Sequence, residues 1–227
     1  MLKDKLTIVI PAKNEGKSIG GIIEKCLQYT DDVIVIDGHS TDNTRDVAES
    51  LNVKVYLDNK KGKGDAIRVG ISKAQKEIIV FIDADLSHDP EEIPRLVQPI
   101  IDDEADHVTG SRMRGGSDEL HGDIGKFIRM MGSDIITLGI NYRFGVRLTD
   151  SQNGFRALKR EVAASLDLKE NITTIEQEMI IKTLRKGYRM GEVASHEYSR
   201  KYGDSNINVR KVWIRYVYSC LKYLIFG

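Results

Sequence analysis

Short apolar runs alternate with helix-like segments over the first hundred residues, and this alternation restricts the fold more than any other feature of the chain. Runs rich in Ile and Val, typical of buried parallel strands, lie at residues 6–10, 33–36, 53–57 and 78–82. Helices are predicted between them at residues 18–29, with Ser18 as the cap, at 44–51 and at 62–74. This order predicts an α/β fold in which a doubly wound, mostly parallel sheet is flanked by helices.

The pattern becomes less regular after residue 90. It predicts strands at residues 108–111 and 155–158, an extended segment at 189–198 and a flexible basic loop at 112–116. Apolar residues at helical spacing predict helices at 126–144, 175–187 and 209–226. The first of these carries an apolar stripe of Ile128, Met131, Ile135, Leu138 and Tyr142, and the last is amphipathic with several basic residues.

The charge balance is even, with 34 Lys and Arg residues against 34 Asp and Glu residues in a chain of 227. Nucleic-acid-binding proteins usually carry a basic excess, so no nucleic-acid partner is expected. Cys26 and Cys220 lie far apart without metal-ligand spacing, which predicts reduced thiols in a cytoplasmic protein. The N-terminal residues lead directly into a strand, which predicts no signal peptide, and no run approaches the roughly 18–20 apolar residues of a membrane span.

Asp83-Ala84-Asp85 directly follows the apolar run at residues 78–82. The carboxyl ends of parallel strands form the edge at which open α/β sheets bind ligands. Paired carboxylates at such an edge suit Mg²⁺ or Mn²⁺, because these ions take their other ligands from water and substrate phosphates. Glu15 and Asp37 follow two other predicted strands, so the sequence predicts a metal-dependent enzyme that acts on a nucleotide diphosphate. A polar turn is the alternative for each residue taken alone.

Seven motifs carry a resemblance to a known family. Four occur in the order found in family-2 glycosyltransferases of the GT-A fold: Pro11-Ala12-Lys13-Asn14-Glu15, Val35-Ile36-Asp37-Gly38-His39-Ser40-Thr41-Asp42-Asn43-Thr44, Gly62-Lys63-Gly64-Asp65-Ala66 and Asp83-Ala84-Asp85-Leu86-Ser87-His88. Three more resemble its polyprenyl-phosphate branch, which includes dolichyl-phosphate mannose synthases: Gly110-Ser111-Arg112, Asp150-Ser151-Gln152-Asn153-Gly154-Phe155-Arg156 and Arg200-Lys201-Tyr202-Gly203-Asp204-Ser205.

The resemblance implies a GT-A catalytic domain at residues 1–206 and a C-terminal amphipathic helix at 207–227. The implied reaction is the inverting transfer of a monosaccharide from GDP-mannose or a UDP-hexose to a polyprenyl or dolichyl phosphate. Two alternatives remain open at this point. One is a glycosyltransferase with a small soluble acceptor such as phosphoglycerate, and the other is an inactive nucleotide-sugar-binding subunit.

Donor-binding residues are also implied by the resemblance. Asp37 would accept hydrogen bonds from the base, either uracil or guanine, and Lys63 would lie beside the nucleotide. Lys63 could equally belong, with Lys60 and Lys61, to a solvated basic loop. The full donor set is Pro11, Ala12, Glu15, Asp37, Lys63, Asp83, Ala84 and Asp85.

For the metal, the resemblance implies Asp85 as the direct ligand and assigns ribose or metal-bound water to Asp83. Ser87 stands where some relatives carry a Gln ligand, so it is the weaker third candidate. His88 is adjacent, but a single His is more typical of a turn than of a ligand set.

A phosphate acceptor needs cations but no general base, because its second pKa near 6 leaves the nucleophilic oxygen ionised at neutral pH. The candidate cations are Arg112, Lys126, Arg129 and Arg200, and Asn153, Gly154 and Phe155 would line the sugar pocket. The implied catalytic set is Asp83, Asp85, Arg112 and Arg200. A hydroxyl acceptor would instead need a base. Glu176 and Glu178 are the candidates, although both are also typical of an ordinary helix surface.

A polyprenyl-phosphate acceptor lies in a bilayer, which predicts a peripheral protein on the cytosolic face of a membrane. The predicted helices at 126–144 and 209–226 are the candidates for membrane contact, and the second has the makeup of an interfacial helix. Either helix could instead pack its apolar stripe against the sheet. A membrane subunit and a homo-oligomer are further candidate partners.

Overall fold

The computed structural model describes residues 2–118, 124–200, 202 and 209–225, with the side chains of 124–129 and 209–214 left out. The strands are β1 (Leu6–Ala12), β2 (Asp32–Asp37), β3 (Lys54–Leu57), β4 (Ile78–Phe81), β5 (His107–Ser111), β6 (Arg156–Lys159) and β7 (Met190–Ala194). The helices are α1 (Ile19–Cys26), α2 (Thr44–Ser50), α3 (Lys63–Lys73), α4 (Ile93–Ile101), α5 (Arg112–Gly115), α6 (Ile124–Phe144), α7 (Arg160–Ser165), α8 (Ile175–Arg185) and α9 (Val209–Ile225).

The strands of the described chain form one sheet in the order β3-β2-β1-β4-β6-β5-β7. β1 pairs in parallel with β2 and β4, β2 with β3, and β5 with β7, whereas β6 runs antiparallel to both β4 and β5. The predicted doubly wound, mostly parallel sheet is therefore confirmed. β1, β2, β4, β5 and β7 all end at one edge, and β6 begins there.

Helices cover both faces of the sheet. Ile8 and Ile10 of β1 pack into the core beside α1 and α4, whereas Val9 packs into a second core with α3 and α8. Because consecutive strand residues point to opposite faces, a strand buried on both sides needs apolar residues throughout. This requirement explains the uninterrupted apolar runs of the sequence.

A third core cluster joins α6, α8 and α9, and includes Ile136, Ile140, Ile180, Cys220 and Tyr223. Both cysteines are buried and unpaired, and burial raises the pKa of the Cys26 thiol to about 12 and that of Cys220 to about 11. No helix in the described part of the chain has the length and apolar character that crossing a bilayer requires.

Four residues of the stripe predicted on α6 face away from this cluster. The exposed fractions are 47% for Met131, 67% for Ile135, 67% for Leu138 and 92% for Tyr142. The alternative in which this stripe packs against the sheet is therefore wrong for these four residues, because α6 uses its opposite face for packing. The side chain of Ile128 is outside the described residues.

Three local predictions were wrong. Residues 112–115 form the short helix α5 rather than a flexible loop, and the Ser111 hydroxyl accepts a hydrogen bond from the Arg114 N–H at its start. Ser18 precedes α1 but does not cap it with its side chain, since its hydroxyl donates to Glu15. α1 also ends at Cys26, three residues before the predicted end at Tyr29.

Stability should decrease as the pH falls from 7.5 to 5.5, and His107 should account for part of the loss. His107 is fully buried on β5 with Nδ1 2.9 Å from the Thr183 hydroxyl, and burial together with the charge of Arg156 holds its pKa well below 6.5. As the pH falls, His107 is therefore protonated in the unfolded chain before it is protonated in the folded protein. The contribution of His107 to the free energy of unfolding is fully present above pH 6.5 and decreases below it. We expect about 1 kcal/mol from this residue over two pH units.

Urea unfolding at both pH values checks this expectation in wild type and in His107→Asn. The variant lowers stability at both pH values but should show the smaller difference between them. Equal pH dependence in the two proteins would contradict the assignment.

Candidate active site

Strand direction gathers the candidate residues at one edge of the sheet. Pro11 and Ala12 end β1, Asp37 ends β2, and Asp83 and Asp85 follow β4. Arg112 follows β5, Arg200 lies after β7, and the Asn153–Phe155 segment leads into β6 at the same edge. The topology thus brings together candidate residues that are up to 189 positions apart in sequence (11 to 200).

Asp83 is joined to Lys63 and Glu176. The Lys63 ammonium lies 2.8 Å and 2.9 Å from the two carboxylate oxygens of Asp83, and 2.9 Å from Glu176 Oε1. Burial by itself opposes charge on Lys63, but the attraction of the two carboxylates outweighs it and raises the pKa of the ammonium. The same attraction outweighs burial for Asp83 and lowers the pKa of its carboxyl. Lys63 is therefore part of the site and not of a solvated loop.

Asp85 pairs with a different cation. Arg200 Nε lies 3.1 Å from Asp85 Oδ2, and the Ser87 backbone N–H donates to Asp85 Oδ1 at 3.0 Å. The Tyr198 N–H donates to the Ser87 carbonyl at 2.8 Å, which fixes the segment before Arg200 against the Asp83–Ser87 turn. Asp85 and Ser87 are both buried.

The donor chemistry of this turn fits a hard divalent ion. Within the described residues no group of three or more His, Cys, Asp or Glu side chains is arranged to hold a metal, and the Asp83–Asp85 pair is the candidate among them. Mg²⁺ is typically held by one or two carboxylates together with substrate phosphates. Space is left beside the pair by Gly154, where a Cβ atom would lie 2.8 Å from Asp83 Oδ2 and 2.9 Å from Lys63 Nζ.

At the end of β2, Asp37 is fully buried and its carboxylate accepts hydrogen bonds from Arg45 Nη2 at 2.9 Å and from the Ser40 N–H at 3.2 Å. Burial opposes the charge, but these bonds outweigh it and lower the pKa of Asp37. Arg45 was missed by the sequence analysis. Its position at the start of the helix after Asp37 is the one signal that could have suggested it.

Glu15 lies near Asp83 and Asp85, the two candidate metal-binding carboxylates. Burial, with Asp85 and Asp83 adding negative charge nearby, raises the pKa of Glu15 despite its hydrogen bond from Ser18. Ala12 and Ala84 are buried at the strand ends, and Pro11 is half-buried.

Arg112 is held by two carboxylates that the sequence analysis did not assign to it. Its Nε and Nη2 donate to the two oxygens of Asp150 at 2.6 Å and 3.0 Å, and Nη1 reaches Glu197 at 3.4 Å. The guanidinium outweighs the effect of burial and keeps the pKa of Asp150 low. Lys126 and Arg129, the other proposed phosphate ligands, have side chains outside the described residues.

The segment from Asn153 to Arg156 forms the floor of the site. Asn153 Oδ1 accepts a hydrogen bond from the Phe155 N–H at 2.9 Å, and the Phe155 ring stacks on His88 with centroids 5.3 Å apart. His88 is therefore buried in a stacked pair. Arg156, also missed from sequence, is fully buried and donates to the main-chain carbonyls of Glu176 and Asn153.

The two candidate bases are both engaged. Glu178 is fully buried and accepts hydrogen bonds from the Lys169 and Glu170 N–H groups, and Lys182 Nζ lies 2.8 Å from it. Glu176 is buried and paired with Lys63. Both candidate bases are therefore already engaged in contacts within the fold.

Comparison with known proteins gives consistent matches. The sequence profile described as glycosyl transferase family 2 matches residues 7–166. The UDP-N-acetylglucosamine–dolichyl-phosphate N-acetylglucosaminyltransferase of Methanococcus voltae is 28% identical over 94% of this chain and 96% of the relative. Glycosyltransferase AglJ of Haloferax volcanii is 29% identical over 90% of this chain and 67% of its own length.

Among solved structures, a similar one is glucosyl-3-phosphoglycerate synthase from Mycobacterium tuberculosis, crystallised with Mn²⁺, uridine diphosphate and glucosyl-3-phosphoglycerate. The TM-score is 0.76 at 21% identity, with 97% of this chain and 80% of the other covered. At this level of identity the likeness concerns the fold.

Proposed function

Because the chain belongs to glycosyl transferase family 2 and has the GT-A fold that its motifs predicted, we propose that it transfers a monosaccharide from a nucleotide sugar to a polyprenyl phosphate, with inversion at the anomeric carbon. The donor would be GDP-mannose or a UDP-hexose. The names of its relatives support a dolichyl-phosphate acceptor, since one of them is a dolichyl-phosphate N-acetylglucosaminyltransferase.

The engagement of both candidate bases carries this proposal. Glu176 is bound to Lys63 and Glu178 is buried in main-chain hydrogen bonds, so a hydroxyl acceptor would find neither available. A phosphate monoester needs no base, because it is largely ionised at neutral pH. Arg200 at the same edge suits a phosphate oxygen, since a planar guanidinium forms paired hydrogen bonds to it, and Arg112 would do the same after leaving Asp150.

Asp85, with Asp83 beside it, would hold Mg²⁺ or Mn²⁺ together with the donor diphosphate. The bound ion would supply the charge neutralisation that a departing diphosphate needs. Asp37 would bind the base, Lys63 would hold Asp83 in place, and the Asn153–Phe155 segment would contact the sugar. Lys126 and Arg129 remain candidate phosphate ligands at the beginning of α6, and Ser87 a candidate third metal ligand.

A transfer assay with the full chain tests the proposal. GDP- and UDP-sugars are each supplied together with Mg²⁺ or Mn²⁺. Each mixture then receives a polyprenyl phosphate, 3-phosphoglycerate or no acceptor. A lipid-extractable glycosyl product supports the proposal and identifies the donor. A product on phosphoglycerate alone would favour the alternative with a small soluble acceptor. Donor binding without a product on either acceptor would favour the inactive subunit.

The same proposal places the protein on an anionic cytosolic membrane surface. α6 contacts the site through the Thr137 hydroxyl, 2.8 Å from that of Ser151, while its exposed stripe points outward. On the neighbouring α9, four large apolar residues are also exposed: Val217, Tyr218, Leu221 and Ile225. The two helices carry seven basic residues and one acidic residue, giving a net charge of 7 − 1 = +6 in a chain of zero net charge. An apolar face with basic residues is typical of an interfacial helix pair.

Replacing Ile135 and Leu138 with Glu should remove binding to vesicles that contain anionic lipid. Both side chains are 67% exposed, so the double variant should keep its fold, while two charges on the contact face oppose insertion. We expect at least a tenfold weaker partition in vesicle sedimentation, because burying two such side chains contributes about 3 kcal/mol. Ile101→Glu, on the exposed end of α4, is the matched control. Equal sedimentation of wild type and the double variant would contradict this surface.

A further inference from the structure

Each carboxylate of the Asp83–Asp85 pair already has a cation of this chain beside it, and the two cations are held differently. Lys63 contacts both oxygens of Asp83 and a second carboxylate, Glu176, at distances of 2.8–2.9 Å. Arg200 contacts Asp85 by one nitrogen at 3.1 Å and lies after β7, outside any helix or strand. Lys63 is thus fixed between two acids, whereas Arg200 meets the pair through its Nε, at Asp85.

Loss of the Lys63 contact would leave two acids close together without a cation. Asp83 and Glu176 both lie within 3 Å of the same ammonium, and Glu176 is 4% exposed. Buried carboxylates left without a partner are strongly destabilising, so this pair persists. The Asp85–Arg200 pair is easier to separate, because the Arg200 side chain is 32% exposed and water can take over its hydrogen bonds.

Arg200 and a divalent ion would compete for the same oxygen of Asp85. Oδ1 already accepts the Ser87 N–H, and Oδ2 faces the guanidinium. An ion bound at Oδ2 would lie within a few ångströms of that positive charge, where the repulsion is large in a partly buried site. Binding of either cation at Oδ2 therefore weakens the hold of Asp85 on the other.

We propose that Arg200 and the divalent ion exchange at Asp85. The Arg200 guanidinium pairs with the carboxylate until the ion binds, and the guanidinium then moves to the phosphate groups of the substrates. This exchange rests on the metal-dependent transfer proposed above. It keeps the charge around Asp85 balanced before the ion binds. It also makes Arg200 available to a phosphate only after metal binding, so the acceptor phosphate should bind after the metal–donor complex forms.

Metal affinity without donor or acceptor tests the exchange. Mn²⁺ is titrated into the full-length protein by calorimetry, for wild type, Arg200→Ala, Arg200→Lys and Arg95→Ala. Arg200→Ala should bind Mn²⁺ about threefold to tenfold more tightly than wild type, since a competing cation is removed. Arg200→Lys keeps a competing charge and should lie between the two. Arg95 forms an exposed pair with Glu92, so Arg95→Ala should match wild type.

A second measurement separates direct exchange from a general loss of positive charge. Phenylglyoxal labelling of Arg200, followed by mass spectrometry, should rise severalfold when Mn²⁺ saturates wild type. In Asp85→Asn it should be high at the outset and unaffected by Mn²⁺, with the Arg95 peptide as internal reference.

Unchanged or weaker Mn²⁺ affinity in Arg200→Ala overturns the exchange, as does unchanged Arg200 labelling or a lack of Mn²⁺ binding at millimolar concentration. These readouts need no acceptor. A positive result combined with no lipid-linked product would retain the exchange and reject the proposed acceptor.

Discussion

Asp85→Asn is expected to lower kcat/KM for glycosyl transfer by about 10³-fold, with the fold retained. Asn preserves the size of the side chain, and its one amide oxygen can still accept the hydrogen bond from the Ser87 N–H, so the turn after β4 should keep its shape. The variant removes the negative charge that would hold the divalent ion. Without that ion, the departing diphosphate loses its main source of charge neutralisation.

The lipid-linked product and the thermal unfolding midpoint should be measured on the same preparations. Asp102→Asn is the matched control, because Asp102 is an exposed carboxylate at the end of α4 that accepts only from Gln98 among the described side chains. It should retain wild-type kcat/KM. An Asp85→Asn enzyme within tenfold of wild type would remove Asp85 from the metal site.

Lys63→Met should reduce both stability and activity. Methionine fills the space of the lysine stem but leaves Asp83 and Glu176 facing each other without the ammonium that now lies 2.8–2.9 Å from both. We expect the free energy of unfolding to fall by about 2–4 kcal/mol, since one partner of a largely buried ion pair is removed. We also expect kcat/KM to fall at least about 100-fold, because Asp83 would no longer be held in place.

Lys61→Met separates this effect from a simple loss of basic charge in the same loop. Lys61 is exposed, two residues before Lys63, so its replacement should change the unfolding free energy by less than about 0.5 kcal/mol. Urea unfolding and the transfer assay, run on both variants, give the comparison. Equal effects of the two substitutions would mean that the ion pair with Asp83 and Glu176 contributes nothing specific.

The strands and most of the helices could be predicted because their signals are local. An apolar run such as residues 78–82 must be buried on both faces, and the observed β4 spans Ile78–Phe81. The site edge was also predictable in outline, since parallel strands place the residues after them at one edge of the sheet. Asp37, Asp83 and Asp85 were identified in this way.

The partners of these residues were not predictable, because they come from distant parts of the chain. Arg112 is held by Asp150 and Glu197, which lie 38 and 85 positions away, and no local pattern joins them. Glu178 appeared on a predicted helix as a candidate base, and only its contacts with the 169–170 main chain show that it is engaged. A charge pair across the fold has no periodicity that a sequence could display.

The sequence by itself determined the α/β class, the positions of the main strands and the edge at which the polar motifs meet, because burial periodicity and chain direction act over a few residues. The tertiary structure alone decided which cation each carboxylate holds and which face of α6 is left open. On α6 the stripe of Met131, Ile135, Leu138 and Tyr142 has the spacing of a core face, yet packing against α8 and α9 uses Ile136 and Ile140 instead. Helical spacing defines a face, but what covers that face depends on neighbours brought together only by the fold.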